Sequence, residues 1–279
     1  MKLSLQNEII QRDMKPKEVI KKSTRKIWQK WYIAIKITPL LILVALLKIT
    51  SHYYGLEILE INALFTSLVA GTIFLIGFLI SGVLSDYKES EKLPSEISAS
   101  IKTLLDDSYT IHKTKNSTTA LDFIEFQKPF VDSILKWFYK EEKTASMLIK
   151  ISDMNQFFIE FENEGVPVPY IIKMKNEQVN LRKMLLRIDT IRDTDFVISA
   201  YAILEAMGIV IGICLLIIKM TPFDTSLFFT LVVTFLISYM FLLIEDLDDP
   251  FDYKHNGESG SEVSLKPIHD LEKALKNSL

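Results

Sequence analysis

The residues from Ile61 to Ser85 (INALFTSLVAGTIFLIGFLISGVLS) run 25 positions without a charge. At ~1.5 Å per residue such a helix is about 37 Å long, more than a ~30 Å hydrocarbon core, so the stretch predicts a tilted membrane-spanning helix. Gly71, Gly77 and Gly82 interrupt it, and Thr66, Ser67, Thr72, Ser81 and Ser85 give it polar points. A 3.6-residue wheel places Thr66, Ala70, Phe74, Phe78, Ser81 and Ser85 on one face. Small, hydroxyl and aromatic residues suit a packed or wetted seam better than lipid. The segment therefore reads as lining a pore, with Thr66, Ser81 and Ser85 as its polar positions.

Three more apolar segments follow the same logic. Trp31–Thr50 begins with an aromatic belt of Trp28, Trp31 and Tyr32, with Pro39 as an expected kink and Lys36 and Lys48 near its ends, where they can snorkel outward. A third span covers about Phe196–Ile218 and a fourth about Thr225–Ile244, joined by a turn at Pro222. A formal charge of −3 and a mean hydropathy of +0.22 fit a chain that is part membrane and part soluble.

Basic residues orient the spans. Residues 1–30 hold nine Lys/Arg, residues 86–195 sixteen and residues 245–279 four, which leaves Lys36, Lys48 and Lys219 of the 32. With four spans these basic regions share a side, and the positive-inside rule makes it the cytoplasm. Five regions result: 1–30, a basic arm that is either an amphipathic surface helix or a solvated tail; 31–85, spans one and two; 86–195, a cytoplasmic domain; 196–244, spans three and four; and 245–279, an acidic cytoplasmic tail.

The cytoplasmic region predicts helices over Ser95–Ile111, Leu121–Tyr139, Ala145–Glu162 and Asn176–Arg192. Residues 112–119 read as a loop, and Gly165, Pro167 and Pro169 as a break. The last of these helices is expected to continue into the third span.

Enzyme signatures are missing: the sequence has no phosphate-binding Gly-rich loop, His-Glu-x-x-His zinc helix or Gly-x-Ser-x-Gly elbow. The soluble part is not basic enough to suggest a nucleic-acid partner. A lone cysteine, Cys214, excludes a disulfide framework, and no small-residue cleavage site follows the first apolar segment, so a secretory signal peptide is not expected. Glu205 is the one acid deep in a span, about 15 Å in. It must be protonated, paired or wetted; Lys36 is a candidate partner, and ion passage, pH sensing and a helix–helix hydrogen bond are all open roles. Asp246, Asp248, Asp249 and Asp252 follow the fourth span; they are either carboxylate ligands for a hard cation such as calcium or a solvated cap. Glu57, Glu60 and Asp224 outnumber Lys48 and Lys219 at the other side, a balance that favours cations.

Two short motifs carry a family resemblance. Phe74-Leu75-Ile76-Gly77-Phe78 followed by Glu91-Lys92-Leu93-Pro94, and Asp248-Asp249-Pro250-Phe251 after the fourth span, resemble the bestrophins, as do two pairs of spans around a helical region of about 110 residues. The resemblance implies a pentameric ion channel with Ala70, Phe74 and Phe78 as an apolar neck. Animal bestrophins conduct anions and some bacterial relatives cations. The pattern departs at Ser85-Asp86-Tyr87-Lys88, where an aromatic-basic cluster is expected, and in the acidic cluster, of which only Asp252 closely follows Pro250. That cluster binds calcium and gates the animal channels, so calcium gating does not carry over with the resemblance.

The sequence thus predicts an all-α membrane protein of four transmembrane helices per subunit with a helical cytoplasmic domain. Its expected partners are the lipid bilayer, copies of itself in a pentamer and permeating inorganic ions, and an Ile- and Lys-rich composition points to a bacterial inner membrane. A non-conducting scaffold or sensor, and a proton-coupled transporter using Glu205, are the alternatives.

Overall fold

A computed structural model describes residues 16–193, 198–253 and 262–277. In chain order the elements are α1 (Pro16–Tyr53), β1 (Leu59–Glu60), α2 (Ala63–Ser90), α3 (Leu93–Lys115), α4 (Thr118–Phe138), α5 (Thr144–Asn163), α6 (Val168–Asp193), α7 (Ile198–Ile217), β2 (Ile218–Lys219), α8 (Phe223–Asp248) and α9 (Lys266–Asn277). Four helical stretches are long and apolar enough to cross a membrane: Trp31–Tyr53, Ser199–Ile217, Phe223–Asp248 and the one that begins at Ala63. They coincide with the four predicted spans. Residues 1–15 of the basic arm, residues 254–261 of the acidic tail, and residues 194–197, on which the predicted unbroken passage from α6 into α7 falls, lie outside the described residues.

The chain divides into two compact units, with breaks after Phe78, Ile198 and Leu243. In the membrane unit α1 runs through Pro39 without ending. The connection after α1 and the connection after α7 meet, because β1 pairs in parallel with β2 through Leu59–Ile218 and Glu60–Lys219. The turn predicted at Pro222 is present, and the Thr221–Pro222 peptide is cis.

The helical unit is built on apolar residues recurring at helical spacing. Ile97, Ile101 and Leu104 of α3, Phe123, Val131 and Ile134 of α4, Ile151 and Phe158 of α5, and Leu181, Leu185 and Ile188 of α6 are all buried in one core. Around Phe123 the rings of Phe157, Phe158 and Phe161 gather with centroids 5.0 to 6.1 Å away. Two features correct the sequence reading. The predicted loop 112–119 shrinks to Asn116 and Ser117: α3 continues to Lys115 and stops where Asn116 adopts a left-handed conformation (φ 53°) and its N–H donates to His112 O at 2.8 Å. Ser117 then caps α4 by accepting from Ala120 N–H at 3.0 Å. Likewise Gly165 (φ +70°) ends α5, with the Val166 N–H reaching Phe161 O at 3.0 Å. Pro169 breaks nothing; it sits in the first turn of α6, where its missing N–H costs no bond.

The unit also includes a helix that the sequence reading did not anticipate. In α9, Ile268, Leu271 and Leu275 are spaced to share one face, and all three are buried in the same core. Polar contacts fasten other helices: the Arg187 guanidinium donates to both carboxylate oxygens of Glu89 at 2.9 and 2.7 Å, and Lys173 pairs with Asp107 at 2.8 Å.

Candidate functional site

Along α2 one stripe is covered and another is not. Thr72, Ile76, Leu79 and Val83 are buried, and Thr72 turns its hydroxyl back onto Leu68 O at 2.9 Å. The opposite stripe is exposed over its whole length: Thr66, Ala70, Phe74, Phe78, Ser81 and Ser85 are uncovered, with Phe74 at 78% and Phe78 at 67% of their full exposure. Ala70, Phe74 and Phe78 follow one another at about 6 Å along the axis. Leu64, Ile73 and Leu84 flank the stripe. Gly71 and Gly77 adjoin it, and a Cβ at either would meet nothing within 4 Å. No contact among the described residues therefore requires glycine there. The exposed side of α1 differs in kind, being aliphatic through Leu40, Ile42, Leu43, Leu46 and Leu47.

Glu205 lies on α7 and is exposed, as is Lys36 on α1. Both line one cleft of about 580 Å³ within the membrane unit, walled by Ile37, Ile237 and Phe241. Sequence reasoning paired them; the structure brings them to one cleft, yet no ion pair or hydrogen bond joins either to another described residue.

At the end where β1 meets β2, the structure corrects a prediction. Lys48 does not snorkel outward; it is fully buried. Its ammonium donates to Ile218 O at 2.6 Å and pairs with Glu57 at 2.8 Å. The His52 ring stacks on Phe223 with centroids 4.1 Å apart, and its Nδ1 lies 2.8 Å from the second Glu57 oxygen. Burial pushes the Glu57 carboxyl up, but Lys48 and His52 outweigh it and hold the group below the ordinary carboxylate value. Periodicity could not reveal this latch, because Lys48 and Ile218 stand 170 residues apart.

The acidic residues after the fourth span were weighed as calcium ligands. Among the described residues no three His, Cys, Asp or Glu side chains converge as a metal would need. Asp252 instead pairs with Lys140 at 2.9 Å.

The neighbouring motif residues are anchors. Pro250 and Phe251 are buried, as are Leu93 and Pro94. Phe251 packs against Phe138 at 5.9 Å, and both rings, with Trp137, surround the Arg192 guanidinium at 4.5 to 5.8 Å. Arg192 also donates to Phe138 O at 2.9 Å, closing the end of α4. Its burial lowers its pKa, a shift that Tyr253, Asp189 and Asp249 oppose. Sequence reasoning missed Arg192, and the only signal for it was its place at the end of an amphipathic helix.

No protein-family model matches the sequence, and no curated protein matches it. Solved structures do. Three crystal structures of a bacterial bestrophin homologue from Klebsiella pneumoniae, one phased by Zn-SAD and two of point variants, are 16% identical to this chain with TM-scores of 0.70 to 0.71. They cover 87 to 88% of this chain and 97 to 98% of their own. A likeness of that identity speaks to architecture, and over nearly the whole of both chains this protein has the bestrophin fold.

Proposed function

We propose that this protein is the subunit of an ion channel in which copies of α2 surround a central path, with Ala70, Phe74 and Phe78 forming an apolar neck and Thr66, Ser81 and Ser85 its polar flanks. The observation that carries the reading is the composition of the uncovered α2 stripe. A span facing acyl chains gains nothing from hydroxyls, and two glycines with no role inside the subunit make sense where another helix approaches closely. Rings of phenylalanine narrow a path that either passes ions or dewets and closes. The shared fold supports a cyclic assembly, for which five subunits is our reading.

Both termini and the helical unit lie on the cytoplasmic side, and the bacterial inner membrane is the compartment. The Lys48–Glu57 pair removes one ammonium and one carboxylate from the outer charge balance, leaving Glu60 and Asp224 against Lys219. The lean toward cations thus rests on a single net charge. A second reading, proton-coupled transport, rests on Glu205 standing exposed in its cleft; it requires Glu205→Gln to abolish pH-dependent uptake.

Planar-bilayer recording of purified protein tests the channel. Unitary currents that reverse with the ion gradient are the expected result, with conductance raised in Phe74→Ala/Phe78→Ala. Silence of both proteins would favour a non-conducting scaffold.

A further inference from the structure

The cleft of the membrane unit holds chemistry that conduction along α2 does not use. Lys36 follows Trp31 by five residues, and Glu205 follows Ser199 by six. Both spans run toward the end where β1 pairs with β2, and the two charges lie within them in the wall of one cleft. Each lines the cleft, each is exposed, and neither pairs with a described residue. The Thr234 hydroxyl, which also lines it, is buried without a hydrogen-bond partner among the described residues. Ser238 adds a second hydroxyl, and the rest of the wall is apolar, through residues such as Ile37, Ile237 and Phe241. Space is kept open by Gly212, where a Cβ would meet nothing within 4 Å.

A pure hydrocarbon occupant would leave two opposite charges and a hydroxyl unanswered at a depth where such groups are costly. An anionic amphiphile would answer Lys36 and repel Glu205. The complement of this wall is a molecule with an apolar chain whose polar end carries both an anion and a hydrogen-bonding cation. We propose that the cleft binds a phospholipid of the phosphatidylethanolamine type, with its phosphate on Lys36, its primary ammonium on Glu205 and one acyl chain along Ile37 and Phe241. The site needs only that the chain spans a bilayer, and it stands or falls apart from ion conduction.

The test is native mass spectrometry of the full-length protein, delipidated in detergent and offered phosphatidylethanolamine or phosphatidylglycerol, which has the phosphate but no ammonium. The wild type should retain phosphatidylethanolamine several-fold better. Glu205→Gln should erase that preference while keeping phosphatidylglycerol, Lys36→Gln should lose both lipids, and Gly212→Leu should lose them by filling the cleft. Equal retention of the two lipids by the wild type would overturn the proposal. So would an unchanged preference in Glu205→Gln, which adds no bulk and keeps the test open if Gly212→Leu misfolds. A Gly212→Leu protein that changes its subunit number without losing lipid would show a neighbouring subunit in the cleft, and would overturn it too.

Discussion

Lys48 is the residue whose surroundings most alter what the sequence alone would say. A buried ammonium is tolerable only with its charge answered, and here Glu57 and a β2 carbonyl answer it. Removing one partner leaves the other charge buried: Lys48→Met should cost about 3 kcal/mol in thermal unfolding of detergent-solubilised protein. Adding Glu57→Leu should restore most of that loss, and a neutral single mutant would contradict the pairing. The acid limb follows from the depressed Glu57 pKa. Its contribution is fully present above the ordinary value of 4.5 and disappears as pH falls through the lower folded value. In Lys48→Met, stability between those two values should depend less on pH than in the wild type.

Among elements, α9 shows what a short amphipathic helix contributes. Ile268 is fully buried in the helical core, and Ile268→Ala should destabilise the protein by about 3 kcal/mol, read as a lowered midpoint in chemical denaturation. A loss under about 1 kcal/mol would mean that α9 is not docked in solution. The spacing of Ile268, Leu271 and Leu275 was legible in the sequence, but the segment follows an acidic, Gly-containing stretch that reads as a tail. The four spans were legible because a bilayer demands long uncharged runs. The helices of the unit between the second and third spans were legible from period alone, with their ends misplaced where one left-handed residue, Asn116, sets the boundary. The exposed α2 stripe could be drawn on a wheel. What could not be drawn was the Lys48 latch or the Arg192 cage, since each joins residues far apart in the chain; Lys36 and Glu205 could be paired on paper, but not the cleft that holds them.

At the scale of the whole molecule, the bias of basic residues predicts an orientation that labelling can check. In a Cys214→Ser background, a membrane-impermeant thiol reagent applied to intact cells should label Glu60→Cys, and should label Lys115→Cys only after permeabilisation. The opposite pattern would invert the topology. The assembly determines whether the exposed phenylalanines meet lipid or one another, and that is the claim on which the proposed function turns. Phe74→Cys in the same Cys214→Ser background has a single thiol, and a cationic thiol reagent added during planar-bilayer recording reports where it lies. The proposed neck predicts irreversible, stepwise loss of the unitary current, and an unaltered current after complete modification would contradict it.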